Sequence, residues 1–462
     1  MSPKKGWLCL VLFPFFLACS LVPKDTITPK GQILVYLQAE GPPTYETVFS
    51  LSRIFLEDKE GKEVPLALRS HTLSSSFLFN QQILLAQGVV DVGSYNSINL
   101  EISQAKLIKD NKKLLLKINQ RLIKIPVDLF IPRDKTSSLF LRWQPSGSVQ
   151  HQTLFVPVIN VTQGKVGLKK LLLYVSNAGE NYLSVIDRGT NQVIDTVTVG
   201  ESPKGMALSE DGAYLYVVNS LSKSISVVET ATNRVVDEIR LPMAVEPTEI
   251  VLLPDTSYLY VSAKGSNAVL VVDVQTRRVI KTIEVGQGPV GLAVDPERRY
   301  VYVANSYSNS VSVIDTSTNE VVNTVGVGAE PCFLAYSNNY LLVASGQSNT
   351  VSVIDVNTLS VRHNIFVPGR PSKIIKGLKG WFYVAGELMD CVYFVLPNVD
   401  ISPKRLITGR KPMGMALDRD RKLLYVVNAQ DNSVDVFDLI KEREIQKIEV
   451  GSRPYDLILT ED

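Results

Sequence analysis

From Leu171 to the end of the chain, apolar and polar positions alternate in short runs separated by turn residues. The stretch YVYVANSYSNSVSVIDTSTNEVVNTVGVG (Tyr300–Gly328) shows the unit. Its runs Tyr300–Asn305, Ser310–Asp315 and Glu320–Val327, with Val290–Val294 before them, are rich in β-branched residues. The segments DPERR, SYSN and TSTN between them carry turn chemistry. The pattern therefore predicts four short strands per unit. The unit recurs. The column of Asp315 returns at Asp187, Glu229, Asp273, Asp355, Leu396 and Asp438, in steps of 40 to 44 residues. A second column, Pro203, Pro247, Pro289, Pro331, Pro371, Pro412 and Pro454, keeps the same period. Four strands per repeat without a helical period predict a propeller blade, and seven copies predict a seven-bladed β-propeller over 171–462. A single blade cannot cover both of its own faces, so neighbouring copies must do so.

The chain ends predict how the ring shuts. The first copy opens with Leu171–Asn177, the second strand of a blade, and lacks an innermost strand. The last copy closes with Arg453–Asp462, an innermost strand without a blade after it. Tyr455–Leu459 is thus expected beside Leu171–Ser176, with Ile458 alongside Leu172.

Residues 31–161 follow another pattern. Gly31–Gln38, Thr47–Asp58, Gly93–Ile108, Lys113–Ile131, Ser138–Gln144 and Thr153–Val161 alternate as strands, and no long helical period appears. They predict an N-terminal β-sandwich, making the chain all-β. Residues 162–170 read as a linker and 19–30 as a tether. At the start, Lys4 and Lys5 precede an apolar run, Trp7–Leu17. That run is far short of the roughly 20 residues a spanning helix needs, so residues 1–18 read as a cleaved signal.

Three resemblances rest on these residues. FLACS (Phe16–Ser20) resembles the lipobox of bacterial lipoproteins, which implies lipidation at Cys19, although Phe16 stands where leucine is usual. Ser20 in place of aspartate implies the outer membrane, facing the periplasm. LYVSN, LYVVN, VYVAN and LYVVN, around Tyr174, Tyr216, Tyr302 and Tyr425, with the trailing SVSVID, resemble the surface-layer-type YVTN propeller repeat. The sixth copy, Phe382–Asn398, departs from it by lacking both the Asn and the Asp. Gly93–Ile102 resembles an uncharacterised β-sandwich domain found near the N-terminus of bacterial lipoproteins. The family implies a fold and an extracytoplasmic setting and names no ligand.

Composition narrows the function classes. With 20% charged and 45% hydrophobic residues the chain is a folded one. Its formal charge is +2, and loss of Lys4 and Lys5 takes it to zero, so no global field draws in nucleic acid. Cys332 and Cys391 remain after the signal and the lipid site, and they are expected to stay unpaired. The motif C-x-x-C-H is absent, so covalent haem attachment is not expected. The histidines His71, His151 and His363 are scattered, giving no zinc pattern, and His363 is assigned to an outermost strand. No nucleophile elbow, phosphate loop or calcium loop occurs, and no catalytic residue, metal or cofactor is assigned. The Asp column is expected to accept backbone N–H groups in turns, and Asn177, Asn219, Asn305 and Asn428 to close turns.

What varies lies in the loops that lead into each proline, which share one face of the ring with the turns between second and third strands. Positive charge is expected to gather there at Lys204, Arg370, Lys373, Arg410, Lys411 and Arg453, with Glu246, Glu249 and Glu330 across the axis and Glu201 and Asp456 as exceptions. The turns add Tyr182, Lys223, Lys264, Tyr307, Asn309, Asp390 and Asp431. This mouth is the candidate binding face, its basic arc suited to an anionic or acidic protein, peptide or envelope polymer. The reading is a non-enzymatic binding or scaffold lipoprotein. Two alternatives are a propeller hydrolase or lactonase with channel carboxylates and a divalent ion, and an accessory partner of a periplasmic redox enzyme.

Overall fold

The computed structural model describes residues 29–43, 45–109, 112–162, 171–337, 339–398 and 404–460. The signal, Cys19 and nearly all of the tether and linker lie outside these residues. Within them the repeats form seven four-stranded antiparallel sheets. The first holds Leu172–Asn177, Tyr182–Asp187, Gln192–Thr198 and the chain's last strand, Pro454–Leu459. The next six run in order, each opening on an inner strand: Pro203–Leu208, Pro247–Leu252, Pro289–Val294, Pro331–Ser337, Pro371–Lys376 and Pro412–Asp418. Each inner strand touches the next, and Pro454–Leu459 touches both Pro203–Leu208 and Pro412–Asp418, so the contacts form a closed cycle. The architecture is that of a β-propeller.

Apolar side chains cluster between sheets rather than within them. Val217 and Val185 join the first and second sheets, Ile250 and Val218 the second and third, and Val303 and Val271 the third and fourth. Equivalent clusters continue round to Val427 and Val175, between the seventh sheet and the first. Both faces of a middle strand are thereby buried, which is why YVVN and SVVE carry valine at consecutive positions rather than in strict alternation. The closing strand pairs Leu459 with Leu173 and Ile458 with Tyr174, two residues along from the expected Leu172. Leu172 meets Thr460 instead, whose N–H donates to its carbonyl at 2.9 Å.

The recurring Asp does close turns: the Oδ1 atoms of Asp187, Asp273, Asp315, Asp355 and Asp438 accept backbone N–H groups two residues on at 2.7–3.0 Å. The recurring Asn does not. Asn219 Nδ2 reaches across to Ser224 and Ser226 on the next strand, and Asn305 Nδ2 to Ser310 and Ser312. These side chains are fully buried, so they bond strand to strand. The Tyr column supplies a link between sheets. Tyr174 Oη donates to Asn233 Oδ1 at 2.7 Å, Tyr260 to Asn319 at 2.6 Å, and Tyr425 of the seventh sheet to Asn191 of the first at 2.9 Å. Each acceptor is an asparagine with φ near +50°, a residue type that tolerates the left-handed region.

Ahead of the repeats, the strands expected as a sandwich join one ten-stranded hydrogen-bonded sheet, eight strands along one path and two paired off it, plus a small three-stranded sheet. Glu63–Leu68 bridges the two halves by pairing with both Glu46–Asp58 and Ile83–Asp91. The strand Ile83–Asp91, the short helix Ser75–Asn80 and the parallel pairing of Lys30–Ala39 with Thr136–Gln144 lie outside the expected set. Strand Lys30–Ala39 is buried on both faces. Ile33, Val35 and Leu37 point into the N-terminal core, while Leu34 and Tyr36, with Leu84 and Phe140, join the cluster between the first and seventh sheets. Polar contacts fasten the same surface. Gln82 bonds both the N–H and the carbonyl of Val193, and Leu84 N–H donates to Glu449 at 2.8 Å. The N-terminal unit thus covers the outer edge of the first sheet.

Candidate functional site

Every loop that leads into a proline meets the turn between the second and third strands of a sheet. Ser220 N–H bonds the Ser202 carbonyl, Gly346 the Glu330 carbonyl and Ala429 the Lys411 carbonyl. The residue before each proline has positive φ, including Glu246, Glu330, Arg370, Lys411 and Arg453. An asparagine or aspartate of a neighbouring turn holds this backbone by accepting its N–H: Asn309 for Glu330, Asn349 for Arg370, Asp390 for Lys411 and Asn432 for Arg453. Asn309 and Asp390, expected as ligand contacts, therefore serve the loop scaffold. They project the preceding residue's side chain from the face.

The expected separation into basic and acidic arcs does not form. Arg370 pairs with Glu330 at 2.8 Å and with Glu387 at 3.4 Å, and Lys411 also pairs with Glu387 at 3.2 Å. Arg410 pairs with Asp431 at 2.6 Å, and Lys204 lies 3.7 Å from Glu246. Positive and negative groups interleave because Glu387 and Asp431 sit on turns beside the basic loops. Glu387 was not singled out in the sequence, although it directly follows Gly386, which stands in the sixth copy where other copies carry the Asn. Arg453 has no ion pair among the described residues. Tyr307 is exposed, with the Lys264 ammonium 5.0 Å from its ring centre.

Three nominated residues are not at the rim. Tyr182 begins the third strand of the first sheet and is buried in the cluster that receives Tyr36. Glu249 and Lys373 sit two residues after their prolines, inside inner strands, where side chains face the central channel. There Lys373 Nζ donates to Asp456 Oδ1 at 3.0 Å and rests 4.1 Å from the Phe333 ring centre. Burial disfavours the Lys373 charge, but Asp456 and Glu249 outweigh it and hold its pKa above the usual lysine value. Glu249 is 6% exposed, and its Oε1 has no hydrogen-bond partner. Burial pushes its carboxyl up to about 8, helped by Asp456 and opposed by Lys373 and Lys204. Cys332, its thiol pushed up to about 12 by burial, lies against the carbonyls of Pro371 and Ser372. It and Cys391 are both free thiols.

The raised Glu249 pKa has a stability consequence. The folded protein holds this proton more tightly than the unfolded chain, so its contribution is complete below about pH 4.5. It is lost as the pH rises to about 8. Denaturant titrations across that window should show the loss, and Glu249→Gln should flatten it. An unchanged slope in the variant would assign the titration to another group.

Above the channel opens a cleft of about 960 Å³. Its walls include Leu221, Met413 and Tyr455, and its charged groups are Lys204, Lys411, Arg453 and Glu246. The Lys204 ammonium stands 5.9 Å from the Tyr455 ring centre. A second cleft on the same face, about 620 Å³, is lined by Tyr307, Glu330, Arg370 and Leu388. Leu221, Met243 and Leu388 are each about 70% exposed or more around this face. Among the described residues no group of three or more His, Cys, Asp or Glu is arranged to hold a metal.

Residues 240–379 match the model of the YNCE-like beta-propeller family. No curated protein matches the chain significantly. Among solved structures, a functionally unknown protein from Desulfotomaculum acetoxidans DSM 771 superposes with a TM-score of 0.55 at 15% identity, over 62% of this chain and 98% of that one. Hydrazine synthase of Kuenenia stuttgartiensis gives 0.50 at 23% identity, over 55% and 88%. Streptogramin B lyase gives 0.50 at 14% identity, over 62% and 91%. At such identities the likeness establishes the fold and no activity. The chain is a β-propeller protein, similar over its central repeats to the YNCE-like propellers.

Proposed function

We propose that this chain is a non-enzymatic binding module, a seven-bladed ring anchored through lipid on Cys19 to a bacterial envelope membrane, whose loop face holds an anionic or acidic partner. The observation that carries the reading is the cleft at the channel mouth, where Lys204 and Arg453, the latter without an ion pair among the described residues, border apolar walls. The exposed Leu221 in its wall, with Leu388 in the second cleft and Met243 on a loop of the same face, suits the apolar part of such a partner. A metal-dependent hydrolase would converge channel carboxylates on a cation. Here Asp456 bonds the Lys373 ammonium, and the Glu249 carboxyl lies in the field of the same group.

The test is a comparison of wild-type protein with the double variant Lys411→Glu, Arg453→Glu. Both side chains are exposed, so the variant should fold. Partners recovered from native membranes by the wild type should be lost from the variant and weakened by salt. Recovery of the same partners by both would overturn the reading.

A further inference from the structure

We propose that the floor of the mouth cleft is a receptor for a carboxylate end group, accepted by the Lys204 ammonium and by an O–H of the Glu249 side chain, with the ligand's apolar body against Tyr455, Met413 and Leu221. The proposal rests on the binding reading above and names the ligand chemistry. Three features of the floor support it.

First, Lys204 is only 18% exposed at its side chain, lines the cleft, and among the described residues has Glu246, at 3.7 Å, as its one ion-pair partner. That distance leaves room for a closer acceptor. Second, Glu249 stands behind two residues of the cleft wall, its carboxyl in the field of Lys204 and itself acting on Tyr455. Gly205, the residue after Lys204, is the reason it can: a Cβ there would stand 2.8 Å from Glu249 Oε2 and 2.9 Å from its Cα. The missing side chain lets the third sheet's inner strand bring this carboxyl against the strand that carries Lys204. Third, Glu249 Oε1 is buried and has no hydrogen-bond partner among the described residues, an arrangement that costs stability unless a ligand supplies the missing bond.

An ionised Glu249 would repel a carboxylate, so the site works with the side chain neutral. The groups that face it are Lys204 on the second sheet, Lys373 on the sixth and Asp456 on the first. Tyr455 of the first sheet stands near the same acidic groups, and Cys332 of the fifth stands near Tyr455 and Lys373. Asp456 is already held by Lys373, and burial keeps the Glu249 proton into the neutral range. Burial and Lys264 also lower the Lys204 pKa, while Glu246 opposes them. A bound carboxylate would restore full charge to Lys204. Both effects make binding stronger at lower pH. A cation site at the same carboxyl would show the opposite dependence.

The test uses a fluorescein-labelled apolar pentapeptide with a free C-terminal carboxylate, its C-terminal amide, and octanoate as unlabelled acid, read by anisotropy and competition. The free acid should bind about tenfold or more tightly than the amide. Its affinity should fall as the pH rises from about 6.5 to about 9. Glu249→Gln should bind, because the amide still donates, and should keep only the part of the pH dependence that Lys204 supplies, while Lys204→Met should lose about tenfold. Peptide binding that octanoate fails to displace assigns the site to a chain terminus, and displacement assigns it to any carboxylate head. Equal binding of acid and amide, affinity that rises with pH, or an unaffected Lys204→Met variant would each overturn the proposal. Lys204→Met leaves Lys411 and Arg453 intact, so partner capture sensitive to those two but not to Lys204 would retire this inference alone.

Discussion

A chain ended before Pro454 is expected to lose cooperative unfolding. Pro454–Leu459 is the innermost strand of the first sheet, pairing along Leu173–Asn177 with residues some 280 positions away. It also touches the inner strands of the second and seventh sheets, so its removal opens the contact cycle at two places. Leu457 is buried in the cluster between the seventh and first sheets, and Thr460 exchanges hydrogen bonds with Leu172 in both directions at 2.9 Å. Without the strand, the edge of Leu172–Asn177 is left unpaired on the channel side, where no other segment can cover it. Calorimetry should show a broad, low-enthalpy transition or precipitation in place of a single peak. A melting profile equal to that of the full chain would show that the ring does not depend on this strand.

Arg188→Ala should cost about 3–5 kcal/mol, the usual penalty for leaving one member of a buried ion pair alone. Arg188 follows the third strand of the first sheet, and its Nε and Nη2 reach Asp418 Oδ2 of the seventh at 3.1 and 2.5 Å. Its Nη1 donates to the Thr460 carbonyl at 2.6 Å. One side chain therefore clasps the residue that follows the closing strand and the last residue of the seventh sheet's inner strand. Both partners are nearly inaccessible, at 7% and 1%. Burial works against the Asp418 charge, but the Arg421 N–H and Arg188 outweigh it and hold the carboxyl below the usual aspartate range. The stability this pair contributes is present above the unfolded aspartate pKa and is lost as the pH falls through the depressed value. Urea titration of Arg188→Ala should show the full loss at neutral pH and a smaller one in acid. The double variant Arg188→Met, Asp418→Leu should recover much of it, since both buried charges are then gone and Arg421, which also pairs with Asp418, reaches solvent. A single variant within about 0.5 kcal/mol of wild type would refute the clasp.

The departures from expectation share a cause. Tyr182 was assigned to the rim as part of the turn between second and third strands, but it begins the third strand, and where its ring packs depends on the neighbouring sheet and on Tyr36, some 146 residues earlier in the chain. The basic arc was read by counting arginines and lysines along proline loops. Its neutralisation comes from Glu387 and Asp431, which belong to turns of neighbouring sheets. Glu249, Lys373 and Asp456 are separated in sequence by more than 80 residues and meet only because three inner strands converge on one axis.

By itself, the sequence determined what depends on nearest neighbours along the chain. The period of about 42 residues, the alternation of strand and turn, the Asp that closes a turn two residues on, and the proline that begins each inner strand all follow from local dihedral and hydrogen-bond preferences. The tertiary structure alone decided which side chains share a space: the Tyr–Asn links between sheets, the Arg188 clasp, the N-terminal sheet seated on the first sheet's edge, and the carboxyl beneath the mouth. Those pairings join residues from different repeats at close range, and a repeated pattern is, by its repetition, silent about which copy stands opposite which.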